Sequence, residues 1–210
     1  MTATVDPLLA LSLFEAVRAV DMPSGEYDAE YVHELRNKRF GLSDTVSSQI
    51  RRFNEAVRRK QQTPFDEAVA LATLVGRRPD AEAVFREGGR ILARRAYETI
   101  SPLTRRLMLS LPSLLSRPVA LRRARRIARR YTGGEVRRVG ATVLLEVARS
   151  VTIDAAPRLS GCTYYESMLH ELMQLLGGNV GPVEHVRCAG RGEGVCQWRA
   201  EWRPVGPGSR

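Results

Sequence analysis

Long apolar runs are missing from this 210-residue chain. None approaches the roughly 20 consecutive apolar residues that carry a helix across a bilayer, so no membrane-spanning helix is expected. The opening stretch MTATVDPLLALSLFEAV has no basic start, and Glu15 interrupts it, so it does not read as a signal peptide. Cysteine is scarce, and the count of three is odd, which argues against a disulfide framework. Together these features predict a reducing, intracellular setting, the cytoplasm. Catalytic signatures are lacking as well. The serines and the three histidines form neither a nucleophile elbow nor His-Glu-x-x-His, and no Gly-x-x-x-x-Gly-Lys loop occurs. Enzymatic activity is therefore not the expectation. Acid is missing locally: between Glu98 and Glu135 there is no Asp or Glu, while nine arginines fall there. Much of the net charge of +10 is thus concentrated. Such a stretch suits nucleic acid, an anionic membrane surface or an acidic partner segment.

What is present is mostly helical pattern. The pair Asp6-Pro7, a cap followed by a first-turn proline, opens an apolar helix over Leu8–Val20. The run Met22-Pro23-Ser24-Gly25 breaks it, giving an N-terminal helix and linker over 1–24. From Tyr27 to about Tyr131 the pattern is helical almost throughout. Ser43 or Asp44 caps a helix reaching Gln62, Thr63-Pro64 with Glu67 opens another to near Gly76, and Pro79-Asp80 opens a third through Arg95. Gly88 and Gly89 weaken that third helix, which points to close packing there. Ser101-Pro102 and Arg117-Pro118 open two more. The segments are read as a helical region over 25–115, an α+β domain over 116–203 and a disordered tail over 204–210.

At Gly133-Gly134 the character changes. Glu135–Val139 and Thr142–Ala148 are β-prone and joined by Gly140-Ala141, a hairpin pattern. Val151–Ala155 reads as a further short strand. Thr163–Leu176 is the clearest helix, with Thr163 and Glu166 fitting a capping box and Tyr165, Met168, Leu169, Leu172, Leu175 and Leu176 forming one apolar stripe. Gly177-Gly178 stops it. Two strands follow, about Val183–Cys188 and Val195–Trp202, around Gly-rich GRGEG. The predicted class is α+β: a helical N-terminal half, then an antiparallel sheet in the order strand-strand-helix-strand-strand packed on helices.

All three cysteines lie in the last quarter, as Cys162-x25-Cys188-x7-Cys196, with Glu184 and His185 just before the second. Cys162 precedes the helix, where free amides and the positive dipole end favour thiolate. Cys188 ends one strand and Cys196 begins the next, as in a zinc knuckle. Three sulfurs plus one further ligand can close a tetrahedral zinc site. His185 and Glu184 are the candidates for the fourth. Strict alternation puts Glu184 on the face of Cys188 and His185 on the other, and a bulge would reverse that. Buried free cysteine as a small hydrophobe is the plainer alternative.

These residues resemble the 4-vinyl-reductase domain family, which includes effector-sensing domains of phenol- and xylene-responsive bacterial activators. The resemblance covers about Gly133–Trp202: Gly161-Cys162, the apolar helix closed by Gly177-Gly178, and VEHVRCAGRGEGVCQWRAEW. It implies a zinc held by Cys162, Cys188, Cys196 and the residue three before the middle cysteine. That residue is a glutamate in the aromatic sensors and His185 here, so Glu184 stays as the alternative. The resemblance also implies a small apolar or aromatic ligand held between helices and sheet, with Tyr165, Met168, Leu169, Leu172 and Trp198 as candidate lining. It further implies self-pairing into a homodimer or pairing with a signalling partner, hence a sensor or adaptor rather than an enzyme.

Two other signals compete for a role. In LRRARRIARRY, Ala120, Ala124, Ile127, Ala128 and Tyr131 fall on one side of a helix and arginines on the rest. Arg122, Arg123, Arg125, Arg126, Arg129 and Arg130 then form either a solvated face or a nucleic-acid or anionic-membrane binding surface. His170 falls off the apolar stripe and reads as a surface residue, and His33 lies in a polar helical stretch with no role assigned.

Overall fold

The computed structural model describes residues 3–22, 40–110, 113–153, 155, 157–177 and 179–203. The expected helical behaviour of 23–39, including His33, the break at Pro23-Ser24-Gly25, Gly178 and the tail over 204–210 lie outside the described residues. Asp6 caps the first helix as its pattern predicts: Oδ1 accepts from the Leu8 amide at 3.0 Å, and Pro7 opens the first turn. This helix, α1 (Pro7–Asp21), buries Leu8, Leu9, Leu11, Leu13, Ala16 and Val17. Ser43 caps α2 (Asp44–Arg58) through its Oγ, which accepts from the Val46 amide. The helix ends before the expected Gln62, because Lys60 turns into the left-handed region at φ 53.

Thr63-Pro64 does not open the next helix by capping it. It forms a short strand, β2 (Thr63–Pro64), antiparallel to β1 (Thr4–Val5), and α3 (Phe65–Gly76) starts directly after it. Then come α4 (Ala81–Glu98), α5 (Pro102–Ser110) and α6 (Ser113–Thr132). Pro118 lies inside α6 instead of opening it. It falls in the helix's second turn, where its ring removes one backbone hydrogen bond of this 20-residue helix.

β3 (Glu135–Val139) and β4 (Thr142–Val147) make the expected hairpin. Val151–Ala155 is not a strand among its described residues. Its polar groups are satisfied locally: the Val151 amide donates to Tyr165 Oη at 3.1 Å, Thr152 Oγ1 donates to the Gly161 carbonyl at 2.6 Å, and the Ala155 amide donates back to Thr152 O. α7 (Thr163–Leu175) follows a 3-10 turn over Pro157–Cys162. No capping box forms. Cys162 holds the cap position, Thr163 Oγ1 donates to Ser160 O, and Glu166 lies 3.7 Å from Arg86 on α4. β5 (Asn179–Arg187) begins four residues before the expected Val183, and β6 (Cys196–Arg203) closes the sheet. The four-stranded order is β3-β4-β6-β5, all antiparallel. Seven α-helices and two antiparallel sheets among the described residues make the fold α+β, as the pattern predicts.

α7 is the axis of this arrangement. It packs on β5 and β6 on one side and on α4 on the other, and α4 in turn packs on α1. Buried on both sides, α7 hides Tyr164, Ser167 and Met173 as well as Tyr165, Met168, Leu169 and Leu172 of its apolar stripe. Gly88 and Gly89 open the notch that permits this. A Cβ on Gly88 would sit 3.1 Å from the Tyr164 ring, and one on Gly89 would sit 2.1 Å from the Tyr164 carbonyl oxygen. Through the notch the Tyr164 hydroxyl reaches Ser12 Oγ on α1 at 2.7 Å. Burial pushes the Tyr164 phenol well above its ordinary value. Arg94–Glu171 and Arg95–Glu15 bridge the helix rims.

Candidate metal centre

Three elements deliver the sulfurs. Cys162 sits at the N-cap of α7, Cys188 directly follows β5, and Cys196 is the first residue of β6. Gly161 fixes the first of these: a Cβ there would meet the Thr152 carbonyl oxygen at 2.0 Å, so only glycine lets the preceding loop cross the helix start. A 3-10 turn over Ala189–Arg191, ended by Gly192 at φ 83 and followed by Gly194 at φ 79, folds Cys196 back onto Cys188.

A bulge decides which of the two neighbours, Glu184 or His185, faces the three sulfurs. β5 pairs His185 with Trp198 and then Arg187 with Gln197, so one extra residue, Val186, enters the strand between them. Three steps along β5 thereby match two along β6, and His185 shares a face with Cys188, Cys196 and Trp198. Strict alternation fails for this reason. Glu184 pairs with Arg199 on the exposed face and its carboxylate bonds that guanidinium. Cys162, His185, Cys188 and Cys196 offer four ligand atoms that all lie within 4.8 Å of one another. The cysteines are buried and His185 partly so.

Three observations test the fit to a metal. The Cys162 and Cys188 sulfurs are 4.0 Å apart, far beyond a disulfide, and all three cysteines are free. A tetrahedral site with metal–sulfur bonds of about 2.3 Å places its sulfurs about 3.8 Å apart. The buried Nε2 of His185 has no hydrogen-bond partner, so that nitrogen is not committed elsewhere in the protein. The sulfurs also share protons unevenly. The Cys162 thiol donates to Cys196, which pushes Cys162 up, with burial adding to the effect. The same bond, helped by the Ala189 amide and His185, pulls Cys196 down to about 5. Sulfurs packed this closely compete for a shared proton, whose place a cation can take. The group can hold a metal ion.

No family model matches this chain, and no curated protein matches it. The assignment therefore stands on geometry and donor chemistry.

Residues around the ligands hold them in place. The Ala189 amide donates to Cys196 Sγ at 3.5 Å. His185 stacks on Trp198 with centroids 4.8 Å apart and planes 10° apart, and Tyr165 packs against the same indole with centroids 5.1 Å apart. Sequence reasoning missed Glu193. Its carboxylate accepts from the Cys188 amide, which holds it below the usual carboxylate range, and it also meets Arg191. The available signal was its position between two glycines of the return turn.

Of the candidate ligand-lining residues, Trp198 adjoins His185 and Tyr165 adjoins Trp198 in the same core. Tyr165, Met168, Leu169, Leu172 and Trp198 are each at most 1% exposed and are packed between α7 and the sheet. The surface hollows over α6 and between α2 and α3 are lined by other residues. His170 lies 3.4 Å from Gln174 on the rim of α7, off the buried side.

The bulge makes a sharp test. His185→Ala is expected to lose most bound metal, while Glu184→Ala keeps a full equivalent, both read by elemental analysis after desalting. Metal loss from the Glu184 variant alone would reverse the assignment.

Proposed function

We propose that this chain is a non-enzymatic sensor or adaptor domain, similar to the 4-vinyl-reductase domains, whose last quarter is tied together by one structural zinc ion. The observation that carries this reading is the convergence of Cys162, His185, Cys188 and Cys196 on one point. Sulfur-rich tetrahedral sets favour zinc over hard cations such as magnesium or calcium. Four protein ligands leave no open position, so the role is structural. Bound zinc would supply a crosslink, and the chain's own residues direct it: the start of α7 is fastened to the mouth of the β5–β6 hairpin. A cytoplasmic, reducing setting keeps the three thiols available for it.

The ligand reading rests on the resemblance and on one orphan. Trp198 Nε1 is buried without a hydrogen-bond partner, and its ring packs against Tyr165 and His185. A small apolar or aromatic molecule entering there parts α7 from the sheet and engages that donor. The same domain pairs with itself as a homodimer or with a signalling partner.

Native mass spectrometry of the full chain tests each part separately. One zinc per chain is expected, and a mass without metal removes the zinc claim. A saturable rise in Tm with phenol or xylene is expected, and its absence removes the sensing claim while leaving the metal in place. Acid should release the ion, because thiolates and neutral imidazole must take up protons as pH falls. The difference in Tm with and without zinc is therefore large at neutral pH and vanishes on acidification.

A further inference from the structure

We infer that the outward face of α5 and α6 is a docking surface for the anionic phospholipid headgroups of a bilayer. On α6, Leu115, Pro118, Arg122, Arg125 and Arg129 recur every three or four residues, Arg126 lies four from Arg122, and all six are exposed, so they share one face. The opposite face, with Ala120, Ala124, Ile127, Ala128 and Tyr131, is buried in the core. The arginines line a shallow trough of about 540 Å³. On α5, Leu103, Arg106, Leu107 and Ser110 are likewise spaced for one face and exposed, with Leu103 at 79% and Leu107 at 50%.

Acidic residues reach only the margins of this surface. Glu135 meets Arg129 at 3.5 Å, and Asp6 bonds Arg130 at 3.1 Å. Arg125 Nε donates to the Val136 carbonyl oxygen. Among the described residues no hydrogen bond or ion pair engages Arg122 or Arg126, so their donors are available to phosphate oxygens. Leu103, Leu107 and Leu115, at 59% exposed, are three of the seven large apolar side chains exposed among the described residues. Leu115 shares the arginine face, and exposed leucines combined with an arginine row suit insertion among acyl chains with the guanidiniums at headgroup level. A nucleic-acid backbone gives those leucines nothing to bury against. Base stacking also lacks a platform here, since Tyr131, the aromatic of α6, is buried. Leucines and arginines together therefore select the bilayer.

Sedimentation of the full chain with phosphatidylserine-rich vesicles, against phosphatidylcholine alone, tests this at low and at physiological salt. Each basic residue at an anionic surface contributes about fivefold in affinity, so the combined change Arg122→Gln, Arg126→Gln and Arg129→Gln is expected to weaken binding on the order of a hundredfold. A second variant, Leu103→Ser with Leu107→Ser, is expected to weaken vesicle binding while keeping all the arginines. Circular dichroism and metal content unchanged from wild type assign both losses to the surface. Failure to bind the anionic vesicles at low salt overturns the proposal. So does a triple arginine variant that binds as wild type, or tighter binding to double-stranded DNA or RNA than to the vesicles.

Discussion

Cys188→Ser is expected to strip the metal and lower stability by about 4 kcal/mol or more, on the order of 10 °C in Tm for a chain of this size. The reason is the position of this sulfur. Cys188 is fully buried and stands between the strand that carries His185 and the turn that returns Cys196. Without it the ion loses one of four ligands, and the crosslink between α7 and the hairpin goes with it. The measurement that isolates the effect is a cycle of mutation and chelation. Chelator should lower the Tm of the wild type by nearly as much as the mutation does, and should change the variant little. A wild type that ignores chelator, or a variant that retains a zinc equivalent, would sink the structural-metal reading.

Gly89→Ala should be among the most damaging single-methyl changes at the described glycines. The added Cβ would stand 2.1 Å from the Tyr164 carbonyl oxygen, 2.2 Å from Ser167 Oγ and 2.9 Å from the Met168 amide nitrogen. Two of these three atoms belong to the backbone of α7, so no side-chain rotation relieves the contact. The helices must move apart, and α4 and α7 form the largest helix–helix contact in the fold. A cost of about 3 kcal/mol is expected, at the upper end for overpacking, even though alanine is intrinsically the better helix former. Separation of α7 from α4 also pulls on Cys162 at the helix start. Weaker zinc retention is therefore a second readout, by competition with a chromogenic chelator. Gly88→Ala should be milder, because its nearest neighbours are the Tyr164 ring at 3.1 Å and Leu13 Cδ2 at 3.4 Å, both of which are side-chain atoms. Equal tolerance of both substitutions would mean that the notch is not a close contact in solution.

Where sequence patterns misled, a competing local interaction explains each case. Thr163 and Glu166 have the spacing of a capping box, yet the 3-10 turn before α7 places Cys162 at the cap and turns Thr163 toward Ser160. Val151–Ala155 has strand composition, but Tyr165 Oη and the Thr152–Gly161 bond satisfy its backbone first. Pro118 signals a helix start, yet α6 starts five residues earlier and runs through it with the loss of one backbone bond. Glu184 and His185 were left open as the fourth ligand because alternation is parity arithmetic and one inserted residue inverts it. The five aromatic and apolar residues proposed to line a ligand site were legible as buried. Whether burial means core or pocket depends on packing density, which composition does not carry.

The amino-acid sequence by itself determined the helix-rich α+β class, the α1 cap at Asp6, the β3–β4 hairpin, the apolar face of α7 and the arginine row of α6. Each of these is a short-range matter of periodicity, capping and turn chemistry. Tertiary structure decided that Val186 bulges, that His185 therefore joins Cys162, Cys188 and Cys196, and that Gly88 and Gly89 let Tyr164 cross α4 to Ser12. These depend on which backbones approach within bonding distance across the sheet and between helices. No spacing along the chain encodes that distance, because it is set by the summed packing of elements far apart in sequence.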